Sequence, residues 1–509
     1  MLLSIYVTKD MLFSIESAAV NNFKTNEFME AHNFSSIDES QKSMQTQYAD
    51  VLIIGGGPSG CAAGLALLKR GDIDVMMIER DDYTEHRYGE SLSSGVRSTL
   101  EYLDLWQDFA QAQNLAPFTC QVTWGSESQR RLGYMFTPHG TGWNLDRLNF
   151  EQMMMRAFVK RGGRLQCHRQ VITCEPQSDR GWRVIVKSQD QQMHMIVCKY
   201  IIDASGRRGV MRTNLNLALK VHDRLIGITC IGQLPADSSP QIENQVEACE
   251  YGWWHSSPMP DRRVSISLMT DPDIAHKMQI CHPDVWLDLL MKTPFLGALV
   301  NRVGVEFAEK PRSFPCFSSY LEQAGGKDWV AVGDAVASYD PISSSGMPRA
   351  LASGVHGAFI AVDSLFSSGE LLKTYAGAIN QDFKQYLQTQ WQYYQRETRW
   401  PLATFWARRR AVIAISKEAT IHATHFFEQR LAPNPTHLKA SELQDLWLLC
   451  ELGKSVRCLI QEFSQQHLYL PEQKILLGLQ ELIETGYLEI ANEDEEDRVF
   501  FNTERLYFD

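Results

Sequence analysis

The feature that most constrains this chain is Val51-Leu52-Ile53-Ile54-Gly55-Gly56-Gly57-Pro58-Ser59-Gly60, four aliphatic residues running directly into glycines spaced GxGxxG. An unbroken β-branched and aliphatic run reads as a strand covered on both faces, and the small residues after it read as a tight turn into a helix. Gly55 permits the turn, Gly57 lets the backbone approach a pyrophosphate, and Gly60 lets the helix pack on the strand, with Ser59 in the same loop. The helix N-terminus offers free N–H groups and a positive dipole end to an anion. A second apolar run, Val75-Met76-Met77-Ile78, ends in Glu79-Arg80, and Glu79 stands nineteen residues after Gly60, where such a unit places the carboxylate that accepts ribose hydroxyls. A lone GxGxxG is a weak signal. Strand, helix and terminal acid together specify a dinucleotide site that includes both Glu79 and Arg80.

At 509 residues the chain exceeds what one compact core accommodates, so two or three domains are expected, interleaved arrangements included. A net charge of −12 argues against a nucleic-acid partner and against an anionic membrane surface. No apolar run reaches the roughly 18 residues of a membrane helix. The eleven cysteines are scattered without a CxxC pair, so they read as reduced thiols, with neither a disulfide framework nor a metal site, and the expected location is cytoplasmic. Residues 1–48 are polar and weakly periodic and are expected to be a loose arm.

Further along, Gly89-Glu90-Ser91 precedes an amphipathic stretch through Val96, Leu100, Leu103 and Trp106, and its plain reading is a turn and helix cap. Alternating residues near 120–124 and 133–136 suggest strands. Arg147 lies just ahead of a helix running to about Lys160, where it either complements a carboxylate or covers a nucleotide cofactor. A strand pair is expected at 164–174 and 181–187. The strand 196–202 ends in Asp203-Ala204-Ser205-Gly206-Arg207-Arg208-Gly209, a carboxylate at a strand exit followed by a small-residue turn. Residues 215–310 alternate as a separate sheet that includes Gly252-Trp253-Trp254-His255-Ser256-Ser257-Pro258. A third apolar strand runs into Gly333-Asp334, and Asp340-Pro341-Ile342-Ser343-Ser344-Ser345-Gly346-Met347 then opens a helix whose N–H groups can face an anion or a carbonyl.

Three such segments in this order resemble the FAD-dependent aromatic hydroxylase superfamily over about residues 49–385. Gly89-Glu90-Ser91-Leu92, the Gly252–Pro258 segment and Pro341-Ile342-Ser343-Ser344-Ser345-Gly346 look most like its tryptophan-halogenase-like branch. That branch holds true halogenases and the flavoproteins that mature tryptophylquinone cofactors in partner amino-acid oxidases or amine dehydrogenases. The resemblance implies a Rossmann-like α/β FAD-binding domain (49–385), an interleaved antiparallel substrate sheet (about 106–140 and 215–310), and a helical C-terminal domain (386–509). It implies FAD contacts at Gly55, Gly57, Ser59, Gly60, Glu79, Arg80, Ser91, Arg147, Asp203, Gly333, Asp334, Pro341, Ser345, Gly346 and Met347.

Two departures bear on the activity. The halogenase pattern Trp-x-Trp-x-Ile-Pro keeps Trp253 and Pro258 here but has His255 and Ser257 in the other two places, and the segment Asn114 to Gly125 lacks the lysine that handles hypohalous acid in halogenases. Both favour oxygen insertion from O2, with Trp253 and Trp254 stacking on flavin or substrate and His255 taking the ring proton, since its ordinary pKa lies near neutrality. The expected function is hydroxylation of a tryptophan side chain in a partner protein, the precursor of a quinone-cofactor oxidase or dehydrogenase. With a single GxGxxG unit, electrons come from NAD(P)H or from a separate flavin reductase. The alternatives are a halogenase or hydroxylase of a small or carrier-bound aromatic, and a flavin-binding maturation chaperone. Beyond residue 386, aromatics at helical spacing read as a buried helix face, and helix, glycine, strand, acidic loop and strand at the end weakly resemble a winged helix.

Overall fold

A computed structural model describes residues 45–117, 119–133, 141–236, 243–410, 420–423, 438–484 and 487–491. The chain divides into two compact units, Met1–Gln390 and Trp391–Asp509. The division falls near the end of the helix Leu371–Gln395 rather than at 385. Most of the expected arm lies outside the described residues, but its last residues do not behave as an arm. Thr46–Tyr48 open the first strand and pair with Met195–Val197, because the partner strand Met193–Asp203 extends that far.

In the first unit the nucleotide sheet runs Gly325–Gly326, Trp329–Ala331, Met193–Asp203, Thr46–Ile54, Val75–Ile78 and Arg164–Gln166, and Thr46–Ile54 lies parallel to both of its neighbours. Val51, Leu52 and Ile53 are fully buried, as their unbroken apolar run requires. Each such side chain contributes roughly 1.5–3 kcal/mol by leaving water. The helix Pro58–Leu68 covers one face, and the helix Gly346–Phe366 lies so close to it that a Cβ at Gly354 would meet the Ser59 carbonyl oxygen at 2.2 Å. The expected single strand over 164–174 is two strands, Arg164–Gln166 and Arg169–Pro176. His168, at φ 54°, turns the chain out of the parallel sheet into an antiparallel hairpin with Trp182–Ser188. The amphipathic stretch after Leu92 is likewise two helices, Val96–Tyr102 and Trp106–Gln111, broken where Asp104 takes φ 53°.

The second sheet has seven strands in the order Arg312–Pro315, Ile226–Gln233, Arg263–Thr270, Gly252–Met259, Asn244–Cys249, Thr119–Thr123 and Arg130–Gly133. It draws on both expected stretches and is antiparallel except where Asn244–Glu247 runs parallel to Cys120–Thr123. One face packs Trp254, Ile266 and Leu268 on the helices Pro283–Met291 and Leu296–Val303 through Trp286, Leu290 and Val300. The opposite face, carrying residues of the other parity, is left for the site.

The Trp391–Asp509 unit has a three-stranded sheet, Thr420–Ala423 between Lys454–Ser455 and Leu488–Ala491, and the helices Ala440–Leu449, Val456–Gln466 and Glu472–Glu484 around Leu443, Leu446, Leu459, Phe463, Leu479 and Leu482. Phe405 and Trp406, on the helix Thr404–Arg410, are buried. The expected acidic loop at 493–497 and the strand at 499–501 lie outside the described residues. Among the described residues no helix is long and apolar enough to cross a membrane.

Candidate functional site

A cavity of about 720 Å³ opens where the C-terminal ends of the nucleotide strands meet the free face of the second sheet. Open α/β sheets place ligands at this end of their strands. Of the residues expected to hold a cofactor, Gly55, Gly57, Ser59, Glu79, Arg80, Ser91, Arg147, Asp334, Pro341, Gly346 and Met347 line it, and so does His255.

The glycines divide by task as their spacing requires. Gly55 sits at φ 103° with its backbone against Ala204, and a Cβ at Gly60 would strike the Gly55 carbonyl oxygen at 1.9 Å. A Cβ at Gly57 would meet nothing within 4 Å. Gly57 is also the N-cap of Pro58–Leu68, with no side chain capping that end, so the first N–H groups of the helix are left for a ligand. That open cradle at a helix N-terminus fits a pyrophosphate. Glu79, 6% exposed, accepts from the Gly56 N–H at 2.5 Å and, through its other oxygen, from the Arg80 and Asp81 N–H groups. Its place on the cavity wall suits a ribose. Together these features fit FAD.

Several expected contacts are structural instead. Gly60 packs helix on strand. Asp203 is buried and absent from the cavity wall: its carboxylate accepts from Ser205 N, Ser205 Oγ and Met211 N, and so builds the turn Ala204–Arg208 that does line the cavity. Desolvation pushes the Asp203 pKa up, and these hydrogen bonds oppose that shift. Gly333, at φ 61°, also lies behind the wall, where a Cβ would meet Ser59 Oγ at 2.6 Å. Ser345 Oγ is tied to Ser343 Oγ and Arg349 beneath the loop. Asp334 faces the cavity with Arg207 Nε at 3.4 Å.

Arg147 lines the cavity, but its guanidinium donates to Glu151 and to the Tyr88 carbonyl oxygen, both at distances of 2.7–2.8 Å. Glu151, with no exposed surface, also accepts from Arg87 at 2.7 Å. Arg87 and Arg147 thus clamp the segment Asp81–Glu90 onto the helix Arg147–Lys160. Sequence reasoning did not single out Arg87, Tyr88 or Phe314. Tyr88 stacks on Phe314 at 4.9 Å and 6°, forming an aromatic wall of the cavity. Sequence spacing carries no signal for this pairing, because a loop residue meets a strand residue more than two hundred positions later.

The prediction for Trp253 needs correction. The Trp253 side chain is 1% exposed, packs edge-on against Trp124 at 6.2 Å and is not part of the cavity wall, while Trp254 points into the opposite core against Trp286. The strand Gly252–Met259 places only His255 of this trio in the cavity. Its register sets His255 opposite Ser267, whose Oγ hydrogen-bonds Thr229. Burial lowers the His255 pKa and the charge of Glu90 opposes that, so the imidazole is held in its neutral, proton-accepting form near pH 7. Ser91 Oγ lies 3.3 Å from Ser257 Oγ and joins the Gly89–Leu92 segment to the same strand.

A nucleotide fingerprint over an α/β sheet, joined through its cavity to a separate substrate sheet, defines a flavoprotein oxidoreductase of halogenase-like architecture. Residues 48–259 match the FAD binding domain family. The chain is 31% identical over 371 residues to the FAD-dependent oxidoreductase LodB of Marinomonas mediterranea, covering 72% of this chain and 98% of that one. It therefore belongs to the LodB family of FAD-dependent oxidoreductases, and its cofactor is FAD. It is 23% identical over 332 residues to a tryptophan 2-halogenase of Chondromyces crocatus, covering 62% of this chain and 61% of that one, so it spans less than two thirds of that halogenase. Among solved structures, the myxobacterial chondrochloren halogenase CndH superposes with a TM-score of 0.65 at 20% identity, over 73% of this chain and 87% of that one. The flavin-dependent halogenase CmlS gives 0.62 at 18%, over 90% and 99%. These two likenesses are likenesses of fold.

Proposed function

We propose that this oxidoreductase hydroxylates a tryptophan side chain of a partner protein, as a step in building a tryptophylquinone cofactor in the precursor of an oxidase or dehydrogenase. The observation that carries the reading is the wall opposite the nucleotide loops. His255 stands there where the halogenase pattern has its second Trp, the described residues of that wall include no lysine, and the sequence from Asn114 to Gly125 has none. The resemblance to the tryptophylquinone-maturing flavoproteins supports a protein substrate, and membership in the LodB family agrees with it.

FAD, when bound, supplies the two-electron chemistry that activates O2, with electrons from NAD(P)H or a separate reductase. The chain's own residues supply position and proton handling. Gly57 and the N–H groups after it hold the pyrophosphate, and Glu79 holds the ribose. Tyr88 and Phe314 give an apolar face against which an indole can lie and from which water is displaced. His255 accepts the proton that leaves the ring carbon when oxygen is added. Co-expression with a candidate partner, followed by mass spectrometry, tests this: one tryptophan should gain oxygen. Halogenated small aromatics with an untouched partner would instead establish the alternative chemistry.

A further inference from the structure

Glu90 has no part in holding the cofactor in the account above, yet its surroundings are unusual. Its side chain is buried, it lines the cavity, and Oε1 has no hydrogen-bond partner among the described residues. Facing it at 3.6 Å is His86 Nε2, which is equally sealed from solvent and equally without a hydrogen-bond partner among the described residues. A buried carboxylate oxygen without a donor is destabilising, so nothing in the packing of the fold alone accounts for this arrangement. His255 lines the same cavity and feels the Glu90 charge. The Ser91–Ser257 contact fixes the two backbone segments beside each other, one residue from Glu90 and two from His255. Other charged or titratable groups around the cluster are Asp146, paired with Arg263 at 2.5 Å, Tyr88, Glu309, Arg312 with its partner Glu85, and Arg147, which donates to the Tyr88 carbonyl oxygen.

We propose that His255, Glu90 and His86 form a proton relay that carries the proton lost from the aromatic ring out of the cavity. The relay rests on the hydroxylation reading. In that reaction an aromatic C–H, O2 and the two electrons and two protons of reduced FAD yield an aromatic C–OH, water and oxidised FAD. The C–O bond forms, the C–H bond breaks, and the released proton passes to the His255 imidazole; because the balanced reaction releases no net proton, a proton taken up from solvent completes the water as this one leaves. Glu90 accepts it from His255, and His86, with its side chain 24% exposed, returns it towards solvent. Glu90 is the positioning residue and His255 the catalytic base.

The test uses the full chain loaded with oxidised FAD and labelled at its histidines, titrated by NMR, alongside product formation with the partner. In Glu90→Gln the titration midpoint of His255 moves to lower pH, and flavin affinity is unchanged. Turnover falls about tenfold or more with the KM for the partner unaltered, and Glu90→Asp restores most of it. A His255 midpoint that stays where it is in Glu90→Gln overturns the relay. If Glu90→Gln does not fold, His86→Asn replaces it. There the His255 midpoint rises, because Glu90 no longer shares its charge with a second imidazole, and an unmoved His255 overturns the proposal. If wild type oxidises no tryptophan, the functional reading fails while the titrations still decide whether the three groups are coupled.

Discussion

Replacing Gly57 and Gly60 separately with alanine distinguishes the glycine that faces the cofactor from the one that holds the fold. Gly57 has φ −70° and ψ −174°, which alanine adopts without strain, and its new methyl would meet no protein atom within 4 Å. Apo-protein stability should therefore hold, or rise by about 0.4–1 kcal/mol as the unfolded chain loses freedom. The methyl points instead into space assigned to the pyrophosphate. Losing one charge-assisted hydrogen bond there costs about 1.5–3 kcal/mol, so FAD affinity should fall by about tenfold to a hundredfold. At Gly60 the methyl would sit 1.9 Å from the Gly55 carbonyl oxygen and 3.2 Å from Ala204 Cβ, and a backbone atom cannot rotate away. Overpacking of this kind costs about 1–3 kcal/mol or more, so the apo-protein itself should melt earlier. Urea unfolding of both apo-variants, with fluorescence titration of FAD, reads the two effects apart. A Gly57→Ala protein that binds FAD as tightly as wild type would refute the placement of the pyrophosphate at this helix N-terminus.

Three further outcomes follow from particular contacts. Glu151→Ala removes the common partner of Arg87 and Arg147, leaving Arg87 its longer contacts to Asp81 and Glu79 and Arg147 its bond to the Tyr88 carbonyl oxygen, so it should destabilise the protein by about 1.5–3 kcal/mol in a denaturant melt; a change below about 0.5 kcal/mol would show the clamp to be idle. His356 is pushed down from its ordinary 6.5 to about 4 by burial, and its Nε2 has no hydrogen-bond partner among the described residues. The unfolded chain binds that proton first, so stability falls as the pH drops from 6.5 through 4; His356→Leu should remove up to roughly 3 kcal/mol of that loss, visible as a flatter acid limb in melts across this range. His255→Asn should lower product formation by about 10²-fold or more with FAD binding unchanged, and the acid limb of the wild-type rate should lie below the ordinary histidine range, as the depressed pKa requires; an unaltered rate removes His255 from the chemistry.

The nucleotide half of the site was legible in the sequence because its signals are local. An apolar run, three spaced glycines and an acid at the next strand end all lie within about thirty residues, and they form the strand, turn and helix N-terminus that their spacing implies, with Glu79 on the cavity wall. The segments at Asp203 and Asp334 were found for the same reason, although only Asp334 reaches the cavity: a carboxylate at a strand exit looks the same whether it faces a ligand or ties its own turn. What escaped is non-local. Arg87 meets Glu151 across 64 residues, and Tyr88, in a loop, meets Phe314 on the strand Arg312–Pro315, at separations where spacing carries no information. Trp253 was misplaced because alternation shows which residues share a face but not where along that face the cavity ends. Arg147 was recognised as either a partner for a carboxylate or a cofactor contact, and it proves to be held by Glu151 while its edge lines the cavity.

The account turns on whether oxygen enters a tryptophan of another protein. The most direct measurement is peptide mass spectrometry of a candidate quinone-cofactor precursor after incubation with this enzyme, FAD, a reductant and ¹⁸O₂. One tryptophan residue should carry ¹⁸O, and the label should be absent when His255→Asn replaces the wild type. A precursor that stays unmodified while a halide and a small aromatic are converted to a halogenated product would contradict it.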